Sequence, residues 1–199
     1  MNKLSYIFFF FLTNVMAFAQ KTEIKKKFRI EVAGIKVGET NAIKRIESNG
    51  TVHIRSVSTV KVNLLVYQLK INYEVISEFD SKGLVYAEAN AKTNKGDYQT
   101  VTRRTGDYYH VFSLKGKIDK KINNPIFYTS NTLFFEKPAP NAYFFAEYYG
   151  IYSPLTSNKD GSYSSRVAKN SDNYIFQNNE LIQIIKQNPI KNAIMRLEN

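Results

Sequence analysis

Two glutamates, Glu136 and Glu147, come nearest to a reaction centre in this chain of 199 residues. They flank Pro138-Ala139-Pro140 inside FFEKPAPNAYFFAEYYGIY, Phe134 to Tyr152, where eight of nineteen residues are Phe or Tyr. Paired carboxyl groups amid aromatic rings are what glycoside hydrolysis uses, at separations of about 5–5.5 Å or 6.5–9.5 Å according to stereochemistry. The same glutamates have a plainer use, because a carboxylate that accepts backbone or arginine hydrogen bonds fixes a loop. Phe135, Glu136, Phe144, Glu147 and Tyr148 form the candidate ligand-binding set, and no residue is assigned a catalytic role.

Other chemistries have less to work with. The chain has no cysteine, which removes thiol nucleophiles, disulfides and a lipid-modified N-terminal cysteine. There is no G-x-S-x-G elbow, phosphate loop or dinucleotide fingerprint. The two histidines, His53 and His110, sit in the alternating runs TVHIRSV and DYYHVFSL without a second ligand at useful spacing. They read as strand-surface residues, and neither a metal nor a cofactor is expected. Lys115, Lys117, Lys120 and Lys121 form the densest basic patch, suited to steering an anionic head group or to blocking a sheet edge.

Alternation is the signal that must position these residues. In YQLKINYEV the residues Tyr67, Leu69, Ile71, Tyr73 and Val75 alternate with polar ones, the signature of a half-buried antiparallel strand. Similar runs lie around Phe28 to Val32, Val37 to Ser48 and Val52 to Asn63. LVYAEANAK places Ala87, Ala89 and Ala91 on one face, leaving room for something bulky above them. Asn49-Gly50 suits the positive φ angles of a two-residue hairpin, and Ser81-Lys82-Gly83, Lys95-Gly96-Asp97, Thr105-Gly106-Asp107, Lys159-Asp160-Gly161 and Asn178-Asn179 mark further turns. The expected fold is all-β: a curved antiparallel meander or open up-and-down β-barrel, with one short helix or aromatic plug.

The alternation fails after Asn123-Asn124-Pro125 and resumes near Ser162, so the aromatic stretch lies in the interruption. A helix over NAYFFAEYYG, with Asn141 as N-cap and Gly150 just past the C-terminus, is the preferred reading. A strand there would need burial on both faces. Either way the rings are expected chiefly to complete the core, at roughly 150–250 Å² of buried surface each.

Residues 1–19, MNKLSYIFFFFLTNVMAFA, have the cationic start, short apolar run and Ala-Phe-Ala ending of a secretory signal peptide. The remainder, 20–199, is read as a single antiparallel β domain, large enough for one hydrophobic core. Export to the periplasm or the extracellular space is expected, with no integral membrane helix. The net charge is +11, and loss of Lys3 with the leader lowers it by one. Such a charge attracts polyanions; in an exported protein anionic lipid head groups or acidic glycans rank above nucleic acid.

FRIEVAGIKVGE, TLFFEKPAPNAYFFAEYYGIYSPL and GSYSSRVAKNSDNYIFQNNELIQI together resemble an uncharacterised family of small exported β-proteins of Gram-negative bacteria, classed as a domain of unknown function. Its hallmarks correspond to Phe135-Glu136-Lys137-Pro138, Glu147-Tyr148-Tyr149-Gly150 and Asn173-Tyr174. SRVAKNSDN, Ser165 to Asn173, departs from the family's usual Pro-Asp-Gly type of turn. The resemblance implies a curved antiparallel sheet or open barrel and a periplasmic home, without an established activity. Three functional readings stand: a non-catalytic envelope protein holding an apolar or amphipathic ligand such as a lipid, a carbohydrate-active enzyme using Glu136 and Glu147, and a structural scaffold.

Overall fold

The computed structural model describes residues 21–64, 67–94, 96–114, 117–187 and 191–198. The expected leader, together with Lys95 and Lys115, lies outside them. The N-terminal alternation is realised as β1 (Thr22–Val32), β2 (Ile35–Ile46), β3 (Val52–Leu64), β4 (Tyr67–Asp80), β5 (Gly83–Thr93), β6 (Gly96–Thr105), β7 (Tyr108–Ser113) and β8 (Asp119–Ile122). Six further strands follow: β9 (Tyr143–Ala146), β10 (Ile151–Ser157), β11 (Tyr163–Val167), β12 (Asn170–Gln177), β13 (Glu180–Lys186) and β14 (Ala193–Glu198). They form one antiparallel sheet in the order β8-β7-β6-β5-β4-β3-β2-β1-β14-β13-β12-β11-β10-β9. Pairing of β1 with β14, Phe28 opposite Leu197, joins the two halves of the chain. Register shifts at Ile30/Glu31, Glu78/Phe79 and Ile175/Phe176 mark bulges, which bend and twist a sheet locally.

Turn chemistry explains most connections. Asn178 and Asn179 both have positive φ, 49° and 64°, and join Gln177 to Glu180 as a two-residue hairpin turn. Ala168-Lys169 closes the hairpin in the divergent SRVAKNSDN segment, with Ala168 at φ 53°. Asn49-Gly50 does not form the expected two-residue turn. It sits in a longer loop, Glu47 to Thr51, in which Glu47 N–H donates to Thr51 O and Asn49 Oδ1 accepts from Thr51 N–H, each at 2.9 Å.

The preferred helix over NAYFFAEYYG is not formed. Tyr143–Ala146 is a strand paired with Ile151–Pro154, and the only helical element among the described residues is a 3-10 turn, Thr132–Phe134. What survives of the expected C-terminal cap is one turn, in which Gly150 N–H donates to Ala146 O at 2.8 Å with Gly150 at φ 62°. The reason lies in packing. Phe144 enters a core cluster with Phe28, Leu155 and Tyr174, whereas its neighbour Phe145 enters a second cluster with Ile54, Leu84 and Val111. Successive side chains of a strand point to opposite faces, so only an extended backbone serves both clusters. For the same reason β9 shows no alternation, and the strands resume at β9 and β10, before Ser162.

The chain between β8 and β9 then covers the free edge of β9. Phe145 N–H donates to Tyr128 O at 2.8 Å, Ser130 N–H donates to Phe145 O at 3.0 Å, and Leu84 N–H donates to Ile126 O at 2.7 Å. Gly83 is needed there: its φ is 107°, and a Cβ would lie 2.7 Å from Ile126 O. The other end of the sheet, β8, carries Asp119, Lys120 and Lys121, charges that discourage addition of a further strand. Among the described residues no helix is long and apolar enough to cross a membrane.

Candidate functional site

Glu147 begins the turn that follows β9 and is 1% exposed. One carboxylate oxygen accepts from Ser77 Oγ at 3.0 Å and from Asn131 N–H at 3.2 Å. The other accepts from Ser130 N–H at 3.0 Å and from the Ser130 hydroxyl in a short bond. Among the described residues no cation takes part, so the buried carboxyl group is answered by dipoles alone, an arrangement that works only when the donors are held in place. Asn131 is such a support. Its side-chain amide donates to Ile54 O (3.1 Å), Val75 O (3.3 Å) and Ser77 Oγ (3.2 Å), which ties the 3-10 segment to β3 and β4. Glu147 therefore joins three pieces of chain: β4, the segment before the 3-10 turn, and the β9–β10 turn.

Glu136 has different surroundings. Its side chain is 48% exposed and forms an ion pair with Lys44, and its backbone carbonyl accepts from Tyr128 Oη at 2.5 Å. Among the described residues the two glutamates share no hydrogen-bond partner, and one faces solvent while the other is enclosed. Phe135 is half-buried against the second core cluster, with Lys26 Nζ 5.9 Å from its ring centre. Phe144 is 1% exposed and belongs to the first cluster. Of the five candidate residues, Tyr148 is the one whose ring lies half-exposed among other tyrosines.

Tyr148 packs edge-on to Tyr73 (6.0 Å between ring centres) and to Tyr149 (4.9 Å), and tilted against Tyr98 (6.4 Å). In register, Ala91 stands between Tyr73 and Tyr98, so the small face of β5 leaves the space that Tyr148 fills. Thr100, opposite Ala89, donates from Oγ1 to Tyr148 O at 2.8 Å and fixes the turn over that face. Tyr149 Oη accepts from Asn170 Nδ2 at 2.6 Å. Burial, and then the charge of Glu147, push the Tyr73 phenol well above its ordinary range. Burial likewise raises Tyr148 and Tyr149, the latter with help from Asp172. Tyr98 remains 40% exposed, so the cluster reaches solvent at the end of the sheet where β4 starts and β9 ends. Raised in this way, the phenols of Tyr73, Tyr148 and Tyr149 stay protonated at pH 7 and offer ring faces and hydroxyls.

Sequence reading passed over Ser77, Ser130 and Asn131. Ser77 had a signal, a polar residue in the inward row between Val75 and Phe79; Ser130 and Asn131 had none, because no periodicity covers their segment. Tyr73 was visible as part of its strand's alternation and Tyr149 as part of Glu147-Tyr148-Tyr149-Gly150, but nothing in the sequence joined them to each other or to Tyr98. His53 and His110 lie on outer strand faces, His53 Nδ1 3.6 Å from Glu78 and His110 Nε2 2.7 Å from Asp119. Among the described residues no three acidic or imidazole side chains converge as a metal set would.

A family model described as a domain of unknown function, DUF6134, matches residues 28–198. A search of curated proteins gave no significant match. Among solved structures, the chain is similar to a beta-barrel-like protein of the domain of unknown function DUF1849 from Brucella abortus. The TM-score is 0.51 at 9% identity, over 89% of this chain and 95% of that one. That likeness concerns the fold alone.

Proposed function

This chain belongs to the DUF6134 family, a domain of unknown function, and from that premise we propose that it is an exported, non-catalytic protein that holds an apolar or amphipathic ligand at its tyrosine-lined end. The observation that carries the reading is the grouping of Tyr73, Tyr98, Tyr148 and Tyr149 where Tyr98 and Tyr148 reach solvent. Tyrosine combines a large apolar surface with a polar tip, and so suits a ligand with both kinds of surface. Phe144 and Glu147 support the site from beneath, since both are enclosed by protein. Phe135 and Glu136 lie on another part of the surface, with Lys26 and Lys44. The leader-like start of the sequence supports export.

Carbohydrate hydrolysis is less well supported. It needs an acid and a base facing one substrate, whereas Glu147 is occupied by four hydrogen bonds and Glu136 pairs with Lys44. Native mass spectrometry of the protein purified from its own host tests the proposal. A co-purifying amphipathic molecule, retained by the parent and by Glu136→Gln but lost from Tyr148→Ala, is expected. Absence of any such molecule, or its full retention by Tyr148→Ala, overturns it.

A further inference from the structure

The β3–β4 hairpin projects past both of its neighbours. β2 pairs with β3 only as far as Val60, and β5 pairs with β4 only from Ile71 onward. Beyond those points Lys61 stands directly opposite Lys70, and β4 is flanked there by Asn94, whose Oδ1 accepts from Lys70 N–H at 3.3 Å and whose Nδ2 donates to Gln68 O at 2.7 Å. Strand alternation sends Ser56, Val75 and Ser77 inward, and therefore Lys61 and Lys70 outward. Lys92, opposite Asn72, adds a third ammonium group to the same outer face, and all three lysines are exposed. Together with Thr59, Asn72 and Asn94 they line an open hollow of about 350 Å³.

These charges are not compensated. Lysines on the outer face of β1 and β2 have acidic partners: Lys25 pairs with Glu23, and Lys27 and Lys36 both pair with Glu39 and Glu198. Lys61, Lys70 and Lys92 form no ion pair among the described residues. Asp97, opposite Lys92, forms none with it, and Glu74 on the same face is engaged by Arg55. Like charges directly opposite one another in a sheet are destabilising, a penalty that a bound anion relieves. The hollow is open, the lysines are point charges spread over three strands, and the hairpin stands proud of the sheet. Those features suit an array of anionic groups better than one enclosed anion.

We propose that this projecting hairpin docks on an anionic lipid surface, with Lys61, Lys70 and Lys92 contacting head-group phosphates. The inference is independent of ligand binding at the tyrosines, which lie on the inner side of the same end. Flotation with phosphatidylcholine vesicles, with and without phosphatidylglycerol, tests it. Binding is expected only when phosphatidylglycerol is present, and to weaken as salt rises. The triple variant Lys61→Gln, Lys70→Gln, Lys92→Gln should bind on the order of 100-fold more weakly, from ~1 kcal/mol per lysine near such a surface. Lys117→Gln, Lys120→Gln, Lys121→Gln removes the same charge elsewhere and should retain most of the binding. Equal loss in both triple variants, undiminished binding in the first, or binding to heparin without binding to anionic vesicles would each overturn the proposal.

Discussion

Replacing Glu147 should destabilise the fold, and by an amount that depends on what takes its place. In Glu147→Ala the hydroxyls of Ser77 and Ser130 are free to turn, and Ser130 N–H keeps its bond to Phe145 O at 3.0 Å. Asn131 N–H, which had Glu147 as its acceptor, cannot turn and is left unpaired. One orphaned buried donor costs about 1–3 kcal/mol, and losing hydrogen bonds to a charged acceptor costs about 1.5–3 kcal/mol more. The sum is reduced because the desolvation penalty of the buried carboxyl group goes with it, leaving ~2–5 kcal/mol. Glu147→Gln keeps one carbonyl oxygen for Ser77 and Asn131 but turns an amide toward Ser130 N–H, for ~1–3 kcal/mol. Urea denaturation followed by circular dichroism should give midpoints in the order parent, Gln, Ala, at an unchanged slope. In thermal melts the alanine variant should fall by roughly 4–20 °C, from about 2–4 °C per kcal/mol for a chain of this size. A midpoint unchanged in both variants, or raised in alanine, would refute the view that this carboxylate holds the three segments together.

Gly150→Ala should cost ~1–3 kcal/mol, because φ is 62° and the new Cβ would lie 2.5 Å from Val111 Cγ1. Adding Val111→Ala should recover part of the loss of the Gly150 variant relative to the sum of the single changes, as a double-mutant cycle would read. Phe144→Leu and Phe145→Leu should be additive within ~0.5 kcal/mol despite being adjacent, since each ring packs in a different cluster; strong coupling in urea titrations would contradict the two-cluster core. Raised phenol values in the fold mean that the neutral form is favoured, so stability should stay level below the ordinary phenol value of about 10 and fall as pH climbs beyond it. Tyr152, pushed by burial to about 12, loses its share within that window, and the more deeply buried Tyr73 still higher. The chain has no tryptophan, so phenolate absorbance should show a late-titrating group of tyrosines coincident with unfolding.

Much of the fold was legible because the residues that encode it act locally. Tyr73, Val75 and their row on β4 alternate with polar neighbours, and a strand with one dry face has no other way to bury them. Asn178-Asn179 tolerates left-handed backbone, so that turn could be read from two letters. The candidate site was legible only in part. Glu147 and Tyr148 were singled out by their aromatic company, but the same company made Glu136 look like a partner, which its exposed ion pair with Lys44 does not support. Asn49-Gly50 failed as a two-residue turn because the hydrogen bonds of a wider loop, between Glu47, Asn49 and Thr51, satisfy more of the backbone there.

By itself, the sequence determined an all-β chain, where most of its strands and turns fall, and that an aromatic segment interrupts them. Those properties follow from side-chain period and backbone preference, both of which operate over a few residues. Tertiary structure alone decided that Phe144 and Phe145 serve different cores, which makes the segment a strand, and that Glu147 meets Ser77, Ser130 and Asn131 from distant parts of the chain. A buried carboxylate and a solvated one are written with the same letter. Only the packing of Ser77, Ser130 and Asn131 around the end of β9, which encloses one glutamate and leaves the other on Lys44, tells them apart.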